Sequence, residues 1–342
     1  MSMQLFEDVS LKDHSTMRLG GDARYLTTVN SQDELAEAVK WAQENQQPIL
    51  AIGDGSNLIF RDSGWEGLVI VMKIPGYEVI KDDEHISVIR IGGGENWDET
   101  VRRTVDSGLS GIEALSLIPG TAGAAPVQNI GAYGQEVAQT LEQVELYDPA
   151  LNELKTLTNK ECIFKYRDSI FKHEAGERYI ITAITLRLSK SQMQPPFYDS
   201  LQRRLDENGV QEFTPAAIRE AVIAIRSQKL PDPRQVANTG SFFKNPHIKK
   251  QQYETLKKTY PDMPGHESSD GLIKVPAGWL MEQAGFRDFR HDNGMGTYEK
   301  HALVFVNYSA HSYRDLALFK KEVIDKVRQL FGIELIQEPE TV

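Results

Sequence analysis

Residues 118–134, IPGTAGAAPVQNIGAYG, restrict what this chain can become more than any other stretch. Four glycines and two prolines in seventeen positions rule out a continuous helix or a central strand there. Proline lacks the N–H that both ladders need, and glycine pays a high entropic cost inside either. Loops of that length are uncommon within a compact domain unless they bind something. Glycine and alanine also strip bulk from the backbone, so successive N–H groups can form a concavity suited to a pyrophosphate. A shorter segment of the same kind, GDGSN, fills residues 53–57. Taken singly, GDGSN reads as a tight turn and the longer loop as a ligand loop. Neither is a phosphate-binding Walker loop, which requires Gly-Lys-Ser/Thr. The GGG of residues 92–94 leads into a helix, but Trp97 stands where a dinucleotide fingerprint needs its third glycine, so a Rossmann site is poorly supported.

Strand and helix patterns flank these loops. Residues 25–30 read as a strand, and Ser31 with Glu34 forms a capping box for a helix whose apolar face holds Leu35, Val39 and Ala42. Residues 48–53 and 68–73 read as buried strands, 85–93 as a strand, and 96–108 as a helix closed by Gly108. Residues 141–148 and 179–188 read as long sheet strands. A third unit opens at Thr214, an N-cap with Pro215 at the first helical position, and KLPDPR (229–234) breaks the chain after it. Residues 312–332 predict a helix with Leu316, Phe319, Val323, Val327 and Leu330 on one face and Gly332 at its end. The last ten residues read as a strand.

With 342 residues the chain is long for one core. A net charge of −11 disfavours nucleic acid or an anionic membrane as the main partner. The single cysteine, Cys162, excludes a disulfide framework or a thiolate metal site within one chain. His14, His173, His247 and His301 show no metal-ligand spacing, so no metal site is expected. The N-terminus lacks a signal-peptide pattern and no apolar run approaches a membrane span, so the expectation is a cytoplasmic protein. Trp97 and Trp279 read as core residues.

One serine is out of place. Ser241 sits in GSFFKNP, and the nearest histidines in the sequence are His173 and His247. A nucleophilic serine needs a base and a sharp strand-to-helix turn, and the local sequence supplies neither.

The motifs in series are more specific than any one of them. GDGSN followed by LIF, then IPGTAGAAPVQNIGAYG, KYRDSIFK (165–172), KLPDP and GSFFKNP resemble, in order and over nearly the whole chain, the UDP-N-acetylenolpyruvoylglucosamine reductase family. That resemblance implies an α+β fold: a two-part FAD-binding region of the vanillyl-alcohol-oxidase (PCMH) type, residues 1–73 and 74–213, and a third α+β substrate domain, 214–331. Residues 332–342 would return as a strand to the active site. It implies non-covalent FAD near Gly53, Gly55, Ser56, Asn57, Pro119, Gly120, Gly123, Ala124, Ala125, Asn129, Gly131, Ala132 and Tyr133. It implies Ser241, Arg167 and Glu340 as catalytic residues, and Tyr198, Lys229 and Asn245 as substrate contacts. Tyr198, in PPFYDSL, matches the longer type with a substrate-clamping tyrosine loop. Relatives usually continue after the glutamate with Val-Arg and a further strand, whereas here Thr341 and Val342 follow, so a looser hold on Glu340 is expected. Alanines stand in GAAP where relatives often carry serine or glycine.

The implied reaction is an NADPH-dependent reduction, through FAD, of UDP-N-acetylglucosamine-enolpyruvate to UDP-N-acetylmuramate, with a monomer acting on the two small molecules in turn. Hydride addition at C3 of the vinyl ether would build negative charge on C2 and its carboxylate. Arg167 suits that charge as a permanently charged planar fork. Glu340, if protonated, would add a hydrogen bond. Ser241 would deliver the proton to C2, since a carbanion-like carbon is base enough to take it from a hydroxyl. The missing histidine is then no puzzle. Phe242 and Phe243 would support a dry wall behind the serine. A flavin enzyme of the same fold with another substrate, or a binding protein that has lost catalysis, are the alternatives.

Overall fold

A computed structural model describes residues 3–268 and 270–342. The chain divides into two compact units, both discontinuous in sequence: residues 1–9, 23–54 and 65–227 in the first, and 10–22, 55–64 and 228–342 in the second. The α+β class holds in each.

Two main sheets build the first unit, beside the short pairing of Gly131–Ala132 with Gln135–Glu136. In the smaller one, Asp22–Val29 and Ile49–Ile52 flank Trp65–Met72, both in parallel register with it. Leu68 to Met72 are all buried, the continuous apolar run expected of a parallel strand covered on both faces. The Gln32–Glu44 helix lays Leu35, Ala38, Val39 and Ala42 against Leu68, Ile70 and Met72. Its start differs from a full capping box. Ser31 accepts from the Glu34 N–H, but the Glu34 carboxylate reaches the N–H of Asn30, one residue further out, at 2.7 Å.

The larger sheet is antiparallel throughout, in the order Glu153–Thr158, Leu141–Asp148, Ile180–Ser189, Ile86–Gly92, Tyr77–Asp82. The Trp97–Asp106 helix and much of the 109–137 segment cover it, with Trp97, Val101, Ile112, Leu115 and Ile130 in one core with Ile89, Ile91, Val144 and Ile184. Trp97 is thus a core residue. The Pro215–Lys229 helix, expected to open the third unit, packs here as far as Ser227. Its apolar stripe, Ile218, Ala221, Val222 and Ile225, is buried with Ala114, Phe197, Leu201 and Leu205.

The second unit builds on Ala237–Ser241, His301–Asn307 and Met295–Tyr298, an antiparallel sheet with His301–Asn307 at its centre. The Tyr313–Phe331 helix covers it, turning Leu316, Phe319, Val323 and Val327 inward. Ser312 and Asp315 form a complete capping box and Gly332 closes the helix at φ +63°. The last ten residues are not one strand. Only Glu340–Thr341 pairs as a strand, in parallel with Leu58–Ile59. Pro339, which has no N–H to give, divides it from the 336–338 stretch.

Candidate active site

In the first unit the long loop and the YRDS turn are clamped to each other. The loop proceeds by short turns: Ala124 and Ala125 donate to Thr121, Val127 to Ala124, Asn129 to Pro126 and Ile130 to Ala125. Its floor is the glycine turn of residues 92–95, since the Ala122 N–H donates to the Glu95 carbonyl and that of Gly123 to Gly93. The glycines of 92–94 therefore serve close backbone approach and not a dinucleotide fingerprint. Gly120, Gly123, Ala125 and Asn129 are buried in this scaffold. Pro119, Ala124, Gly131, Ala132 and Tyr133 keep accessible surface. Apart from Tyr133, that surface carries only small side chains or a proline, so a flat group can reach the backbone. The residues present thus fit a flavin dinucleotide.

Asn129 shapes the loop. Its amide donates to the Glu136 carboxylate (2.9 Å) and the Lys165 carbonyl (3.1 Å), and its Oδ1 accepts from the Ala138 N–H (3.1 Å). The side chain is committed within the protein.

Arg167 is placed by the same clamp. Lys165 and Asp168 exchange backbone hydrogen bonds of 3.0 and 3.1 Å, which forces Tyr166 and Arg167 into a tight turn with Arg167 at φ +52°. From there its guanidinium donates to the carbonyls of Gly131 (2.5 Å) and Asn129 (3.4 Å). Glycine gives the guanidinium its room, because a Cβ at residue 131 would lie 2.9 Å from both Arg167 Nη1 and the Gln135 carbonyl oxygen. Ser169 Oγ donates to the Val127 carbonyl and locks the turn from its other side. Asp168 faces His173 at 3.0 Å. Tyr198, 55% exposed, leads into the Asp199–Glu207 helix and meets Tyr133 edge-on at 6.1 Å.

Sequence reasoning missed two arginines here. Arg219 grips the Asp98 carboxylate with two bonds of 2.6 and 3.0 Å and also reaches Ser116 Oγ. Burial alone would raise the Asp98 pKa, but Arg219, the Leu117 N–H and Arg226 hold it below the usual carboxylate range. Arg226 donates to the Leu117 carbonyl at 3.2 Å, while its buried Nε has no partner among the described residues. Burial pulls its pKa down, against Tyr133 and Asp98. The signal was present: the two lie seven apart, beside Val222, on the face of a helix that is otherwise turned inward.

In the second unit a network of backbone bonds sews Ser241, Glu340 and Gly55–Asn57 to one framework. The Thr16 N–H donates to the Gly55 carbonyl (3.2 Å), and the Thr16 carbonyl accepts from Asn238 (3.0 Å) in the strand that ends at Ser241. A bulge between Asn238 and Ser241, with Gly240 at φ +72°, re-aims the serine. Past Ser241, Phe242 accepts from the Glu338 N–H and Lys244 donates to the Ile336 carbonyl, both at 2.9 Å. Two residues on, the Glu340 N–H donates to the Asn57 carbonyl at 2.9 Å. Phe242 and Phe243 are 0% and 1% exposed and pack on Phe305, so they back the serine from within the core and line nothing.

Asn245 Oδ1 accepts from the Ala277 N–H at 2.9 Å, at the start of the Ala277–Gln283 helix. What it can offer a ligand is its NH2 group. Lys229 is exposed, and its charge, after burial, lowers the pKa of His301. Trp279 packs against the core of this unit. Among the described residues no group of three or more His, Cys, Asp or Glu is placed to hold a metal, and no helix is long and apolar enough to cross a membrane.

Residues 23–156 match the FAD binding domain family model. Residues 232–342 match the model for the C-terminal domain of UDP-N-acetylenolpyruvoylglucosamine reductase. Curated proteins with that reductase name are similar over almost their whole length. The one from Pseudomonas syringae is 38% identical over 99% of this chain and 99% of its own. The one from Cupriavidus pinatubonensis is 40% identical over 96% of each. Among solved structures, the reductase from Thermus caldophilus aligns over 99% of both chains with a TM-score of 0.67 and 24% identity, a likeness of fold.

Proposed function

The chain belongs to the UDP-N-acetylenolpyruvoylglucosamine reductase family, and on that premise we propose that it reduces UDP-N-acetylglucosamine-enolpyruvate to UDP-N-acetylmuramate with NADPH, as an FAD-dependent oxidoreductase of peptidoglycan precursor synthesis. The observation that carries the residue assignment is the backbone sewing of the second unit, which ties Ser241, Glu340 and Asn57 to one framework although they lie far apart in sequence.

Bound FAD supplies the two-electron chemistry that links NADPH to the substrate. The protein's residues hold and protonate what is reduced. In the net change, hydride adds at C3 of the enolpyruvyl group and a proton adds at C2, so the C=C bond becomes a C–C single bond. Negative charge grows at C2 and in the adjacent carboxylate before the proton arrives. Arg167 faces that charge with a planar fork of donors. Glu340, when its carboxyl carries a proton, donates a second hydrogen bond to the enolate. The Ser241 hydroxyl passes its proton to C2 and regains one from solvent. Pro119, Ala124 and Gly131–Tyr133, which keep accessible surface, and the loop Gly53–Asn57 bind the cofactor, with Asn129 acting through the shape it gives the longer loop. Tyr198, Lys229 and the NH2 of Asn245 hold the UDP-sugar. Both substrates are water-soluble nucleotides, which supports the cytoplasm, and a monomeric enzyme is part of the same proposal.

The test is an anaerobic absorbance trace of the flavin band. The band bleaches with NADPH and recovers when the enolpyruvyl substrate is added. Bleaching without recovery refutes the substrate assignment, and a colourless protein that takes up no FAD refutes the flavin assignment.

A further inference from the structure

We propose that Lys73 sets the affinity for the cofactor's diphosphate by masking Asp54, a carboxylate that stands in the middle of the GDGSN loop. The inference rests on the assignment of that loop to FAD. Asp54 follows the Ile49–Ile52 strand and Lys73 follows its parallel neighbour, Trp65–Met72. Ile52 is in register with Val71, so two residues further on Asp54 and Lys73 emerge side by side from the same end of the sheet. Their side chains meet, Lys73 Nζ to Asp54 Oδ1, at 2.7 Å.

Both residues rest on backbone that leads into the flavin loop. A Cβ at residue 53 would lie 2.5 Å from Thr121 Oγ1, and one at residue 94 would lie 2.2 Å from the Lys73 carbonyl carbon. Gly93, next to Gly94, accepts from the Gly123 N–H at 2.9 Å. The pair therefore belongs to the construction of the cofactor loops.

Fold stability does not account for it. The two side chains keep 42% and 32% of their surface, and ion pairs that open to solvent contribute little to folding. An unmasked carboxylate in a loop that holds a diphosphate, however, repels its own ligand. In the ion pair Lys73 cancels that repulsion.

The experiment titrates the full-length, flavin-stripped protein with FAD, following flavin fluorescence at low and high salt. Lys73→Met weakens FAD binding by about tenfold or more at low salt, and less at high salt. Asp54→Asn binds FAD at least as tightly as the parent, with a steeper loss in salt, because Lys73 then faces the diphosphate. The double variant returns to within about threefold of the parent. A double variant as weak as Lys73→Met overturns masking in favour of direct contact by Lys73, and a Lys73→Met protein equal to the parent overturns any role. Circular dichroism confirms that each variant is folded. A parent protein that takes up no FAD refutes the flavin assignment itself, before any variant is compared.

Discussion

The backbone N–H of Glu340 donates to the carbonyl oxygen of Asn57 at 2.9 Å, joining the proposed catalytic glutamate to the last residue of GDGSN. The ladder continues beyond it. Val342 donates to Ile59, and Arg61 donates back to Val342, each at 2.9 Å. Gln337 reinforces the segment through Thr341 Oγ1 (2.9 Å) and the Pro339 carbonyl (2.6 Å), and itself accepts from Lys320 Nζ (2.9 Å). The looser hold on Glu340 expected from the two residues after it is therefore not what the structure shows, because those two residues carry the ladder.

Ending the chain at Glu340 tests that arrangement. Both bonds of Val342 and the Gln337–Thr341 bond disappear, while the flavin loop of the first unit is untouched. Turnover is expected to fall by about tenfold to a hundredfold, the size of effect that small misplacements of a reacting group produce. The flavin band should remain. Unchanged turnover in the shortened protein would show that the ladder does not position Glu340.

Ser241→Ala separates the two half-reactions. NADPH should still bleach the flavin, since no proton to C2 is involved. Recovery with the enolpyruvyl substrate should slow by about a hundredfold to ten-thousandfold, the range for loss of a positioned acid. Stopped-flow absorbance reads both phases in one experiment. Recovery at the parent rate would remove the serine from proton delivery.

Much of this framework was legible in the sequence. Ser312 and Gly332 marked both ends of a helix because each acts within its own turn, and the Leu141–Asp148 strand was legible as a run. Less legible was the interleaving of the units. Residues 10–22 and 55–64 join 228–342 through pairings such as Thr16 with Asn238 and Leu58 with Glu340, which span most of the chain and leave no local trace. A strand of two residues, Leu58–Ile59, has no period to detect. Nor was the side-chain anchoring of Asn129 legible, because its three partners, Glu136, Lys165 and Ala138, are brought to it by the fold.

Arg167→Lys asks whether charge or shape matters. Lysine keeps the charge but cannot bridge the Gly131 and Asn129 carbonyls with one rigid plane, nor offer two parallel donors to a carboxylate. The expected result is a loss of about a hundredfold in kcat/KM, with FAD still bound and bleaching by NADPH retained. If lysine restored the parent kcat/KM, the fork would be irrelevant and a point charge would suffice.

A buried carboxylate of the larger sheet links stability to pH. Asp148 ends the Leu141–Asp148 strand with no exposed side-chain surface and accepts from Arg178 (3.1 Å) and Lys155 (2.8 Å). The Arg178 hydrogen bond leads, and with Lys155 and the Ala150 N–H it outweighs burial and holds the carboxyl at about 2. A carboxyl with a depressed native pKa stabilises the fold above its unfolded value, near 4, and loses that contribution as pH falls towards about 2. The parent should therefore lose stability faster than Asp148→Asn between about pH 4 and pH 2, and the gap between them should be widest at neutral pH. Urea unfolding followed by circular dichroism across that range checks it. Parallel curves for the two proteins would mean that the Asp148 carboxylate, for all its partners, does not couple protonation to folding.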